Sequence, residues 1–260
     1  MRNVLAIVER EMRSYFASPV AYVVLTIFVF LSGVFFQTIL TQIVQYATAA
    51  SMQSQQFGGA PQPIDVPGLI SENFIGTLSV ILLFMLPMTT MGLFSEEKKR
   101  GTIELLLTAP LTDLQVVIGK FLAAVSFYLV MLATTVIPMS VLFLYGDPAA
   151  GPVATAYLGL FLYGVALLAV GLFISTLTEN QIIAGVLSFG AILLLWMVDV
   201  LASNAVSTTR QVLTYLSILG HLEDFMGGVL VTSDVIFYIS LTTLGLFLTY
   251  RSVEAMRWKG

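Results

Sequence analysis

Six charged side chains, Glu96, Glu97, Lys98, Lys99, Arg100 and Glu104, fall within nine positions of a chain in which only 10% of residues are charged. Mixed signs at this density suit ion pairing with a docked protein, and equally suit a basic loop that anchors its neighbours at a membrane surface. No other cluster offers catalysis. The lone histidine, His221, has Glu223 and Asp224 beside it, a set that could hold a metal but more often marks a helix end or a satisfied surface cluster. With no cysteine, the chain has no disulfide, thiolate nucleophile, cysteine-based zinc site or haem attachment. Gly119 and Lys120 do not close a phosphate-cradling G-x-x-x-x-G-K-[ST], because position 114 is Leu and position 121 is Phe.

These residues sit in an unusually apolar chain. Its 260 residues are 58% hydrophobic with mean hydropathy +0.95, more apolar surface than a soluble globule can hide. It reads as one integral-membrane domain, residues 1–260, with six spans near 20–40, 75–94, 116–145, 153–177, 182–201 and 235–250. Uninterrupted apolar runs without period-two alternation are helices, so the expected class is an all-α bundle. Charged residues precede the first run and no cleavage site follows it, which argues against a removed signal peptide.

Even span number puts both termini, the 95–120 loop and the 178–181 turn on one side. Ten of the 11 Lys and Arg lie there and only Arg210 lies opposite. Basic residues are retained inside during insertion, so this side is expected to be cytoplasmic. The acids divide almost evenly, leaving one net basic face and one net acidic face.

Each polar segment has its own grammar. Gly101 and Thr102 are expected to open a short helix through 103–107, stopped by Pro110, and Thr112 with Gln115 forms a capping-box pattern before the third span. Residues 1–19 form an amphipathic helix with Val4, Leu5, Val8, Met12, Tyr15 and Phe16 on one face; Arg2, Glu9, Arg10 and Arg13 lie on the other, and Glu11 at the seam. Residues 42–71 read as a flexible Gln-, Gly- and Pro-rich loop. Residues 203–234 are too apolar for a free loop and are expected as one or two short helices dipping into the outer leaflet, where protein must cover their backbone ends.

The interfacial helix ending Y-F-x-S-P-x-A-Y, the six spans and the loop E-E-K-x-x-G-T-x-E-L-L-L-T-x-P-x-T followed by G-K-F resemble ABC-2 type exporter permeases along the whole chain. Residues 221–229, H-L-E-D-F-M-G-G-V, are similar to the branch that includes gliding-motility-associated and nitrous-oxide-maturation-type permeases. The resemblance implies a permease of the bacterial inner membrane, multi-pass, with both termini in the cytoplasm. It implies two ABC ATP-binding subunits carrying the ATP and Mg, no cofactor in this chain, a second permease copy or close paralogue, and no nucleic acid. An extracytoplasmic accessory protein is left open. Residues 1–19 become the elbow helix and residues 95–115 the coupling loop. Glu96, Glu97, Lys98, Lys99, Arg100, Gly101, Thr102 and Glu104 become the ATPase contact, with Glu179 and Asn180 as a second contact. Reversing Glu97 and Arg100 is expected to spare folding, and the second copy to meet this one near Leu83 and Leu194.

Lys120 is expected to snorkel to lipid phosphates, and Asp199 beside Trp196 to mark the outer interface. Pro87 and Pro138 are expected to kink their helices; Gly159, Gly164 and Gly171 read as a close helix contact. Two alternatives remain, an ion-coupled secondary transporter, which needs acids at mid-span, and an envelope assembly scaffold. The substrate is not legible.

Overall fold

The computed structural model describes residues 2–56, 64–102, 111–203 and 207–257, all-helical apart from short connections. In chain order the helices are α1 (Arg2–Ala17), α2 (Pro19–Gln56), α3 (Val66–Thr90), α4 (Ser95–Lys99), α5 (Asp113–Gly146), α6 (Ala150–Ser175), α7 (Gln181–Ser203), α8 (Ser207–Leu216), α9 (Gly220–Met226) and α10 (Thr232–Arg257). Six of them, α2, α3, α5, α6, α7 and α10, are long and apolar enough to cross a membrane, so this is a multi-pass membrane protein.

α6 is the axle of the bundle. It packs against α10, α3, α9, α7 and α5, and its small residues let them approach closely. A Cβ added at Gly159 would lie 2.5 Å from Phe225, at Gly164 2.3 Å from Tyr128, and at Gly171 2.3 Å from Thr90, so the three glycines are contact points. Tyr128 then donates its hydroxyl to the Leu160 carbonyl at 2.6 Å. α2 and α7 lie at the rim and leave broad apolar faces uncovered, with Phe30 66%, Val186 64% and Leu194 67% exposed.

Two loop expectations give way. Residues 42–56 are helical, continuing the first span to Gln56. Ala, Gln and Met favour that state, and Thr48, Ser51 and Ser54 satisfy their hydroxyls on carbonyls three or four residues back. α3 likewise begins at Val66, where Asp65 caps it by accepting from Gly68 N at 2.9 Å. The capping box at α5 is present, Gln115 N donating to Thr112 Oγ1 and Thr112 N to Gln115 Oε1, each at 3.3 Å.

The bundle has two unlike ends. α1, α4, the α6–α7 turn and the last turn of α10 gather at the basic end. At the other end α8 and α9 form a cap, the expected pair of short helices. Phe225 of α9 is fully buried and seats on Gly159, well inside α6.

Candidate functional site

The basic end is assembled by α1 lying across the start of α5. Ile7 is 6% exposed and sits on Gly119, where an added Cβ would lie 2.7 Å from Ile7 Cγ2. Leu5, expected on the apolar face of this interfacial helix, is 66% exposed from the bundle. The helix is therefore phased so that Ile7, Glu11 and Tyr15 turn inward. Tyr15 stacks on Phe127 with ring centroids 5.1 Å apart and donates to the Thr89 carbonyl at 2.7 Å.

That phase brings Glu11 to Lys120. Lys120 does not snorkel: it is 1% exposed, and its Nζ lies 3.1 Å from Glu11 Oε1, 2.9 Å from Glu97 Oε1 and 2.7 Å from the Leu93 carbonyl, which it donates to. Glu11 and the Leu93 carbonyl accept hydrogen bonds from the ammonium, Glu97 adds an ion pair, and Phe94 presents its ring 5.2 Å away. Arg10 closes the figure by donating to Glu11 at 2.5 Å and to Glu97 at 3.0 Å. Arg10, Glu11, Lys120 and Glu97 form a ring of alternating charge that joins α1, α4 and α5 and sums to neutral.

Burial pushes the Glu11 carboxyl up, but Lys120 and Arg10 outweigh it and hold the group below the usual carboxylate range. Burial likewise lowers the Arg10 guanidinium, and Glu11 and Glu97 more than reverse this, raising it. Burial, with Glu11 adding to it, pushes the Tyr15 hydroxyl well up.

The loop residues divide by direction. Glu97 turns inward to Lys120, so its reversal with Arg100 cannot spare folding as expected; it would set a cation against a buried ammonium. Lys98 reaches across to the Thr176 carbonyl at 2.5 Å, bringing α4 against the α6–α7 turn. Thr176 Oγ1 meets Ser252 Oγ at 2.8 Å, which extends the contact to α10. Asn180 caps α7 by accepting from Ile182 N at 2.9 Å, and Glu179 is exposed beside it. Glu96 and Arg100 pair with each other at 2.6 Å on the outer face of α4, with Lys99 exposed next to them.

Gly101 and Thr102 close α4. Gly101 has φ +67°, its N–H reaches the Lys98 carbonyl at 3.1 Å, and Thr102 N reaches the Glu97 carbonyl at 3.0 Å. This paired closure needs a left-handed residue, which glycine supplies without strain. Glu104 and the helix expected over 103–107 lie outside the described residues.

Reading the sequence missed Arg10, Glu11 and Lys120 as members of one site. The signals were a carboxylate on the seam of an amphipathic helix and a lysine one turn inside an apolar span, each costly unless paired. A cleft of about 190 Å³ opens beside the ring, lined by Glu11, Tyr15, Val24, Met88, Glu96 and Gln181 among others.

The chain is similar to known proteins over most of its length. The ABC-2 type transporter family matches residues 2–222. Over 167 residues, 61% of this chain and 41% of the other, it is 33% identical to the probable multidrug ABC transporter permease YbhR of Escherichia coli strain K12. Over 127 residues, 48% of this chain and 33% of the other, it is 29% identical to the probable multidrug ABC transporter permease YbhS of the same strain. The matched stretches thus span less than half the length of these curated relatives.

Proposed function

The chain belongs to the ABC-2 type transporter family, and from that premise we propose that it is the permease subunit of an exporter driven by a separate ATP-binding protein. In this reading the basic end faces the cytoplasm of a bacterial inner membrane, two ATP-binding subunits carrying ATP and Mg dock there, and a second permease copy or paralogue completes the pathway. The supporting observation is the ring of Arg10, Glu11, Lys120 and Glu97. Because it ties α1 and α4 to the head of the third span, force applied at α4 is delivered to α5 instead of being absorbed by a loose loop. Lys99, Arg100, Gly101 and Thr102 are the exposed part of α4 and its closure, so they are the surface for the ATP-binding subunit.

The second copy belongs against α7. Leu83, expected at that interface, is 1% exposed inside the bundle, whereas Leu194 is 67% exposed on α7 and Phe84 is 48% exposed on α3. The relatives' names point to drug-like cargo for those proteins; for this chain we extend that to apolar or amphipathic cargo. The narrower placing beside gliding-motility and nitrous-oxide-maturation permeases rests on the resemblance of residues 221–229.

Purification in mild detergent from the native membrane is expected to recover a P-loop ATPase of separate sequence in equal copy number. Lys99→Glu with Arg100→Glu is expected to deplete that ATPase while leaving the bundle folded, since mismatched charge at an interface costs several kcal/mol and exposed pairs add little to stability. Full transport by the chain purified alone overturns the reading.

A further inference from the structure

The cap is fastened by a second buried charge site that the permease reading does not use. His221 of α9 lies between two acceptors: Nδ1 is 2.8 Å from Asp234 Oδ1 on α10, and Nε2 is 3.0 Å from the Tyr215 carbonyl on α8. A carbonyl only accepts, so the Nε2 contact is a hydrogen bond only when Nε2 carries hydrogen. A neutral imidazole has one N–H, which leaves the Nδ1 lone pair facing a carboxylate oxygen. Both contacts are hydrogen bonds only if the pair holds one further proton, as imidazolium with carboxylate or as imidazole with carboxylic acid. Without that proton one contact sets two lone pairs against each other.

The surroundings enclose the pair and leave it one opening. His221 is 8% and Asp234 3% exposed, and the imidazole stacks on Phe237 with centroids 4.1 Å apart. Tyr215 lies in the last turn of α8 and Asp234 in the first turn of α10, the ends where helix dipoles favour a cation and an anion respectively. Asp234 Oδ2 is buried with no hydrogen-bond partner, while Ser233 donates to Oδ1 at 3.2 Å. A cavity of about 440 Å³, lined by Arg210, Thr214 and Asp224 as well as the pair, connects them to the outside.

Other charged groups face the cap from its neighbours. α3 offers Glu72, α7 offers Asp199 through its bond from Ser217 at 2.9 Å, and α9 itself offers Glu223. Arg210 is the cation from α8, and α6 presents only tyrosines, Tyr157 and Tyr163. α10 adds Tyr238, which donates to the Ile218 carbonyl at 2.8 Å.

We propose that His221 and Asp234 form a proton-dependent latch, holding the α8–α9 cap on the head of α10 while one proton is bound and releasing that edge when the proton passes to water in the cavity. The release is local, because Phe225 on Gly159 and the Tyr238 and Ser217 bonds do not depend on that proton. The latch stands apart from the ATP-driven reading and needs no partner to be observed.

Histidine ordinarily titrates between pH 5 and 8, so that range is the one to scan. The chain has no cysteine, so spin labels at Leu216→Cys and Ile236→Cys report the gap between α8 and α10 in lipid nanodiscs by pulsed distance measurement. A single short distance is expected at the acidic end. As pH rises, a longer population should grow, the closed-to-open ratio falling by at most about tenfold per pH unit for one proton. Asp234→Asn supplies an amide N–H to neutral Nδ1, so the short distance should persist across the range. A wild-type distance unchanged throughout, or an Asp234→Asn variant that opens with pH as the wild type does, overturns the latch.

Discussion

The two ends of the bundle solve the same problem with different nitrogen groups. At the basic end Lys120, 1% exposed, binds a carboxylate from α1 and another from α4. At the cap end His221 binds a carboxylate from α10 and a carbonyl from α8. The first joins helices remote in sequence and the second joins three consecutive ones, each through buried polar groups that cost desolvation unless they are matched. The basic-end joint closes a ring of four charged side chains. The cap-end joint satisfies both imidazole contacts only with one further proton bound.

The comparison breaks most visibly at Lys120. Lys120→Met leaves Glu11 and Glu97 facing each other in a buried site, and about 3–5 kcal/mol of stability is expected to be lost, the usual cost of stranding one side of a buried pair. Thermal unfolding in detergent measures it. A shift no larger than that of an exposed pair would show the ring to be decoration.

A smaller effect sharpens the contrast through pH. Glu11 is held below its ordinary range, so the folded state binds its proton less readily than the unfolded one. Its contribution is therefore present above the unfolded value and is lost as pH falls through the folded value. Glu11→Gln is expected to flatten the acid limb of the stability profile and to cost about 1.5–3 kcal/mol near neutrality, the range for hydrogen bonds to charged groups. The dependence runs opposite to the cap latch, which acid strengthens.

The smallest effect belongs to the outer face of α4. Glu96→Gln with Arg100→Gln removes an exposed pair four residues apart, 44% and 70% accessible, and only about 0.3–0.5 kcal/mol of stability is expected to go. An unfolding midpoint that falls as far as in Lys120→Met would mean that α4 is structural on both faces.

Much of this was legible in one dimension. A span is a sum of local hydropathies, so all six membrane helices follow from runs of apolar residues, and end positions differ where a capping residue such as Asp65 acts or where polar helix formers extend the helix, as in residues 42–56. The capping box at Thr112 needs residues three apart, and the glycines of α6 announce close packing by type alone. The gathering of basic residues at one end, and the lack of a phosphate-cradling loop in the chain, are also matters of type and order. What tertiary structure decided is which charge meets which. Lys120 finds Glu11 109 residues away, Arg10 finds Glu97 87 away, and His221 finds Asp234 rather than its neighbours Glu223 and Asp224. These choices hang on helix phase: Ile7 seating on Gly119 rotates Glu11 inward and Leu5 outward. Hydropathy averages over a helix and cannot see its rotation, whereas a hydrogen bond is made or lost over about 1 Å, so partner choice appears only when the helices are packed.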